Sequence, residues 1–425
     1  MKEAILHYIW QYKLFSQHDL RSTDGQTIEI IDVGKPNQHA GPDFFNAKIK
    51  IGQTVWAGNV EIHYRSSDWN RHQHQTDVNY NNVILHVVRK VDIPVFRMDG
   101  QKIPQIELSY TDGIEQHYES LIQSTKWIAC ENEIQRLPSI YINQWKHALL
   151  LERMVQKVQE LDTLLLTNKN HWEETFFIIL SKHLGLGINN EPFLRLTRSI
   201  SWSLISKTAD DLIQLEALLF GYSGLLEQTN YEDDYIVALK QAYAFLQRKY
   251  SLQTLENIHW RLLRLRPSNF PHIRMAQLAA LLHQNRKLFD TMVNFQSLSH
   301  LIDLFQQVEV SEYWKNHYLF GVPSVHKNKP LGRFTINNLL INAVAPMIFC
   351  YGKHKECQEL KDKALFLLQE IPAEQNYITK KWKELGFELL HAADTQSVIH
   401  LFKNYCEEKK CLRCRIGHKV LTITT

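Results

Sequence analysis

From about Thr27 to Leu108 apolar residues recur at every second position, and from about Ile140 onward they recur at the spacing of a helix. The first stretch gives the segments TIEIIDV, FNAKIKI, TVWAGNVEIHY, NVILHVV and IPVFRM, parted by the turn signals GKPN, IGQ and MDG, and these predict strands. The second gives YINQWKHALLLERMVQKVQELDTLL, HWEETFFIILSKHLGL, YIVALKQAYAFLQRKY and CQELKDKALFLLQEI, with no fixed repeat length. A chain that holds each period over so long a run cannot be one layer of a single type. The expected fold class is α+β, with an N-terminal sheet domain over residues 1–115, a linker over 116–139 and a mainly α-helical domain over 140–425.

Composition narrows the choice of partners. The chain has 425 residues, 44% of them hydrophobic and 22% charged, which suits a soluble protein with more than one core. A net charge of +3 does not by itself announce a nucleic-acid partner, and the first 125 or so residues are slightly acidic, so any basic surface is local. The start, MKEAILHYIWQYKLF, has Glu and His within its apolar run and predicts an amphipathic helix instead of a signal peptide. The most apolar later run, TINNLLINAVAPMIFCYG, is broken by Asn and Pro and is shorter than a membrane span. The expectation is a cytoplasmic protein with no membrane segment.

The chemistry-bearing stretch is GPDFFNAKIKIGQTVWAGNVEIHYRSSDW, from Gly41 to Trp69. A tight turn at Gly52-Gln53 makes FNAKIKI and TVWAGNVEIHY antiparallel neighbours. Glu61 and His63 are two apart on the second of these strands and project from the same face, while Asp43 follows a Gly-Pro turn at the start of the first. Ser67 or Asp68 can cap a short helix that runs toward Asn81-Asn82, so the element order is helix, three strands, helix, strand.

This order, with Pro42-Asp43 before one strand and Glu61-Ile62-His63 on the next, resembles the PD-(D/E)xK nuclease superfamily over about the first 110 residues. The whole chain is similar to an uncharacterised bacterial family, a domain of unknown function, through GPDF, GNVEIHYRSSDW, HQTDVNYNNVILHVV, RPSNFPHIRMAQLAAL and CLRCRIG. The nuclease resemblance implies a mixed nuclease-like sheet and a catalytic set of Asp43, Glu61 and His63. Mg2+ on Asp43, Glu61 and the Ile62 carbonyl would hold water and phosphate together for cleavage of nucleic acid. His63 stands where the superfamily usually has Lys; it can serve as base or ligand but supplies no permanent charge. The alternative is a noncatalytic module that keeps the fold and binds nucleic acid or a protein.

Nearby polar groups could support that site. His74 and Asp77, three apart, share a helix face, whereas His72 and His74, two apart, do not. His86 lies on the apolar strand VILHVV, as a core histidine or a site residue, and Tyr80 is expected to pack. Glu3 on the first helix is a surface residue or a further site carboxylate.

Two other constellations stand out. Cys406, Cys411 and Cys414 in NYCEEKKCLRCRIGHK have the spacing of thiolates on one metal, with Cys130 preferred as a distant fourth ligand and His418 as the local one. Zinc suits such a set. Some nucleases of the resembled superfamily hold a 4Fe-4S cluster with one distant and three clustered cysteines, which makes that cluster the other occupant. Cys350 and Cys357 are expected on helix faces. Arg261, Arg264, Arg266 and Arg274 crowd the break in RLLRLRPSNFPHIRMAQLAALL, between two expected helices. They form either a phosphate pocket for nucleic acid or a structural brace.

Overall fold

Residues 2–37, 39–255 and 258–423 are described in a computed structural model. The chain divides into two units, Met1–Trp145 with Leu401–Thr425, and Lys146–His400. This differs from the boundaries expected from sequence. The cysteine-bearing C-terminus belongs to the sheet unit, and residues 116–139 are no mere linker, since they include most of a helix over Asp112–Gln123 and a 3-10 turn over Ile134–Arg136. Local periodicity marks where a helix lies and says nothing about which core buries it.

The sheet unit begins with α1 (Lys2–Gln11), whose Ile5, Leu6, Ile9 and Trp10 are buried. Its strands are β1 (Ile28–Asp32), β2 (Lys35–Pro36), β3 (Phe44–Ile51), β4 (Thr54–Arg65), β5 (Val83–Lys90) and β6 (Gln105–Glu107). They lie in the order β1-β3-β4-β5-β6, with β2 paired to β3. β1, β3 and β4 are antiparallel, and the turn is formed at Gly52-Gln53, where Ile51 faces Thr54 and Gly52 has φ +61°. β5 runs parallel to β4 and β6 parallel to β5. The joint between β4 and β5 is the short helix α2 (Asp68–Arg71) followed by two 3-10 turns, His74–Thr76 and Val78–Tyr80.

Burial explains the strand patterns. β3 alternates, with Phe44, Ala47, Ile49 and Ile51 inside. β5 is buried continuously from Val83 to Val88, as a parallel strand covered on both faces must be. β4 changes along its length: Thr54–Ala57 is exposed and Val60–His63 is buried. Two local expectations are corrected. IPVFRM forms no strand and contributes only an isolated bridge, Phe96 with Lys102. Ser67 occupies the helix N-cap position without capping, because its hydroxyl donates to Asp92 at 2.7 Å.

The second unit is helical around a core that includes Phe176, Phe220, Leu278, Trp314 and Ile348. Arg333–His354 is one helical run of 22 residues, long and apolar enough by length and composition to cross a membrane, against the sequence expectation; 72% of that apolar window is buried within the protein. A π-helical turn at Leu340–Val344 carries the helix into Pro346, whose missing N–H and bulky ring disrupt regular i→i−4 pairing.

Candidate metal site in the sheet unit

Parallel pairing sets Glu61 opposite His86 and His63 opposite Val88, at the buried end of β4. Asp43 enters from the start of β3 and is locked to β4 reciprocally. Its Oδ2 accepts the Ile62 N–H at 2.9 Å, and its own N–H donates to Glu61 Oε2 at 3.1 Å. From α1, His7 brings Nε2 to 3.2 Å from Asp43 Oδ2.

The other Glu61 oxygen faces imidazoles. Oε1 lies 3.2 Å from His74 Nε2 and 3.6 Å from His63 Nε2. His63 Nε2 is 3.1 Å from His72 Nδ1, and its Nδ1 is 2.9 Å from His86 Nε2. Gln105 Nε2 follows at 3.4 Å from His86 Nδ1. One ligand atom from each of His63, His72 and His74 lies within 4.8 Å of the others. Trp69 packs edge-on against His74, and Tyr80 stacks on His74 with centroids 3.8 Å apart, so Tyr80 is a packing residue here.

The structure brings Asp43, Glu61, His63, His74 and His86 into one cluster. Asp77 takes another task, accepting the Asn79 N–H at 2.9 Å as a cap of the second 3-10 turn. His72 was set apart by helical spacing, yet it joins the cluster because the helix stops. Gln73 is left-handed at φ 63°, and this break turns His72 and His74 toward the same imidazole. His7 was also missed; it follows Glu3 by one helical turn, a spacing that placed both on one face of α1.

Burial governs the protonation of this cluster. It drives Glu61 up to about 9, with repulsion from Asp43 adding to the effect. It drives His63 down to about 2, reinforced by His86, His74 and His72, and His86 down to about 3, reinforced by His74. His74 is lowered too, by burial that outweighs Asp43 and Asp77. For His7, burial acts downward, but Asp43 with Glu3 and Glu61 outweighs it and the pKa rises. Without a metal the neutral site is therefore a protonated Glu61 facing neutral imidazoles. Such donors, when the carboxyl gives up its proton, suit a borderline cation better than the Mg2+ expected from sequence, since Mg2+ favours an all-oxygen shell.

The arginine segment is arranged differently from its sequence reading. RLLRLR is not helical, and Arg261, Arg264 and Arg266 are exposed on it, Arg264 at φ 65°. Arg274, on the helix Pro271–Gln284, is buried, its guanidinium donating to Gln277, Asn269 and Thr335 at 2.7, 2.6 and 2.8 Å. It braces the helical unit and presents no fork to a phosphate. Cys350 is buried on a helix with its thiol 3.5 Å from Asp162, and Cys357 is the N-cap residue of the next helix.

Fold and site together define a two-unit protein: a mixed sheet carrying a buried imidazole–carboxylate cluster, and a helical unit. The chain belongs to the family described as "Protein of unknown function (DUF2851)", whose model matches residues 3–377. No curated protein and no solved structure matches it.

Proposed function

We propose that the protein is a divalent-metal-dependent phosphodiesterase acting on nucleic acid, centred on Asp43, Glu61, His63, His72 and His74. The observation that carries this reading is the meeting of three imidazole nitrogens within 4.8 Å, with Glu61 Oε1 3.2 to 3.6 Å from two of those rings. The choice of a phosphodiester is supported by the three antiparallel strands followed by a helix and a parallel strand, with carboxylates at the start of β3 and late in β4. That arrangement agrees with the PD-(D/E)xK resemblance, which fold alone cannot turn into an activity.

A bound ion would supply an activated water and positive charge against the phosphoryl oxygens. Glu61 would release its proton and become a ligand. Asp43 is held in place by the Ile62 N–H, and His63 by His86, so that its Nε2 faces the donor cluster. His7, whose pKa is raised by Asp43 against the effect of its burial, is the group beside Asp43 that would take the charge role a neutral His63 cannot. The same neutrality of His63 favours the second reading, a metal-binding module without cleavage.

The test is a nuclease assay with Mn2+, Zn2+ and Mg2+ on single- and double-stranded DNA and RNA, run beside metal-binding measurements. The expected result is cleavage with Mn2+ or Zn2+ that drops at least about 100-fold in Asp43→Ala and Glu61→Gln. Metal uptake without cleavage supports the second reading, and no uptake at all removes both.

A further inference from the structure

Cys130, Cys406, Cys411 and Cys414 all lie in the sheet unit, although 275 residues of sequence separate the first two. Contacts on either side bring their segments together. The Lys409 ammonium donates to the Ile122 and Ser124 carbonyls, closing the cysteine loop onto the end of the helix Asp112–Gln123. Trp127 stacks on Phe402 with centroids 4.7 Å apart, which fixes the segment that leads into Cys130 against the one that leads into Cys406.

Each thiol sits at a sharp feature of the backbone. The Cys130 carbonyl accepts the Glu133 and Ile134 N–H groups at 3.1 and 3.0 Å, so the residue sits within a turn. Cys406 ends a π-helical stretch, Phe402–Cys406, and the left-handed Lys409 at φ 49° turns the chain back. Cys411–Arg413 is a 3-10 turn with the Cys414 N–H on the Cys411 carbonyl at 3.2 Å. Gly417 is required beside it, because a Cβ there would stand 2.1 Å from the Cys411 oxygen. Cys130, Cys411 and Cys414 are buried, and none of the six cysteines is in a disulfide.

We propose that these four cysteines form a four-sulfur site for a thiophilic metal, independent of the imidazole cluster. The CxxC spacing, the burial of Cys130, Cys411 and Cys414, and the contacts that hold the Cys130 segment against the C-terminal one are what soft-metal coordination by thiolates needs. His418, the other candidate ligand, is turned to α1, where Nδ1 meets the Tyr8 hydroxyl at 2.7 Å. The thiols sense one another's charge: burial first, and then the neighbouring sulfurs, raise Cys130 and Cys406 well above the usual thiol range and Cys411 to about 11. Lys409 pulls Cys411 the other way and is outweighed. Cys130, Cys406 and Cys411 thus rest as neutral thiols, and a metal is what would make thiolates of them.

The occupant is a zinc ion or an iron–sulfur cluster, both of which take four thiolates. The four do not form one of the two groups whose ligand atoms lie within 4.8 Å of one another among the described residues. Four sulfurs on one zinc stand about 3.8 Å apart, from a Zn–S bond of about 2.3 Å. A single ion would therefore draw the cage in, whereas a cluster, with one thiolate on each iron, spans a wider one.

The experiment is metal analysis and visible spectroscopy of the full chain purified without oxygen or chelators, comparing wild type with Cys130→Ser, Cys411→Ser and the control Cys350→Ser. About one zinc, or about four irons with broad visible absorption, should be held by wild type and the control and lost from the other two. Glu61→Gln should retain this metal, which separates it from the imidazole site. Because the serine variants could fail to fold, wild type is also titrated with a mercurial, expected to release the metal as about four thiols react. Reconstitution with Co2+ should give thiolate charge-transfer bands, which imidazole ligands do not. Metal-free protein whose thiols react without releasing metal, and which shows no such bands with Co2+, would overturn the proposal.

Discussion

Glu61 keeps its proton at neutral pH in the metal-free protein, because burial and Asp43 raise its pKa to about 9. Glu61→Gln therefore removes no charge there, and its stability at pH 7 should stay within about 1 kcal/mol of wild type in urea denaturation. Added Mn2+ or Zn2+ should raise the melting temperature of wild type and not of the variant at this site. The histidines set the acid side. His63 and His86 titrate at about 2 and 3 in the fold against 6.5 in the unfolded chain, so below 6.5 the unfolded state binds more protons and stability falls as pH is lowered. Glu61 acts in the opposite sense: from 4.5 to about 9 the folded state holds a proton that the unfolded state has lost, and stability falls as pH rises. Two histidines outweigh one glutamate up to 6.5. The contribution of these three groups should therefore peak near pH 6.5; because Lys157 and His183 are shifted too, the check is a difference, the stability of wild type relative to Glu61→Gln in urea, which should decline from pH 5 to pH 9, and a constant difference would contradict the raised pKa of Glu61.

At the scale of elements, the break after α2 and the crossing of β4 with β5 shape the site. A left-handed conformation costs a side chain with a Cβ about 1 to 2 kcal/mol, and a β-branched one more. Gln73→Gly should keep stability within about 1 kcal/mol and keep metal affinity, while Gln73→Ile should lose about 1 to 2 kcal/mol and weaken metal binding, as calorimetry can read. Gly58 lies where β4 meets β5; a Cβ there would stand 2.4 Å from Ile84 Cγ2 and 2.7 Å from the Asn82 carbonyl. Gly58→Ala should cost about 1 to 3 kcal/mol in denaturant unfolding. On the helical unit, nucleic-acid affinity that rests on Arg261, Arg264 and Arg266 should fall with salt, and Arg266→Ala should lower the log–log slope by about 1. Arg274→Ala should show its effect as lost stability, since its three hydrogen-bonded partners would be left without it.

At the scale of the molecule, the C-terminus is structural to the sheet unit. Phe402 stacks on Trp127, the Arg415 guanidinium lies 4.9 Å from the Trp145 ring centre, and Leu421 is fully buried. A chain ending at His400 should lose the sheet unit's unfolding transition in calorimetry and expose β3–β5 to protease. An unchanged transition would mean that residues 401–425 only decorate that unit. Nothing in the local pattern of this segment announces the return, because a helix of amphipathic period can dock on any apolar surface that the rest of the chain leaves open.

The sequence by itself determined what depends on neighbouring residues: the change of period near Ile140, the Gly52-Gln53 hairpin, and Asp43, Glu61 and His63 as groups one hairpin would bring together. Strand alternation and tight-turn chemistry act over a few residues, so they are legible in order. Only the tertiary structure decided that His7 and His72 join the cluster, that Arg274 is buried, and that the C-terminal segment belongs to the same unit as the sheet. Those outcomes depend on which distant surfaces exclude water from one another. Burial of that kind is non-directional and leaves no fixed spacing in the sequence.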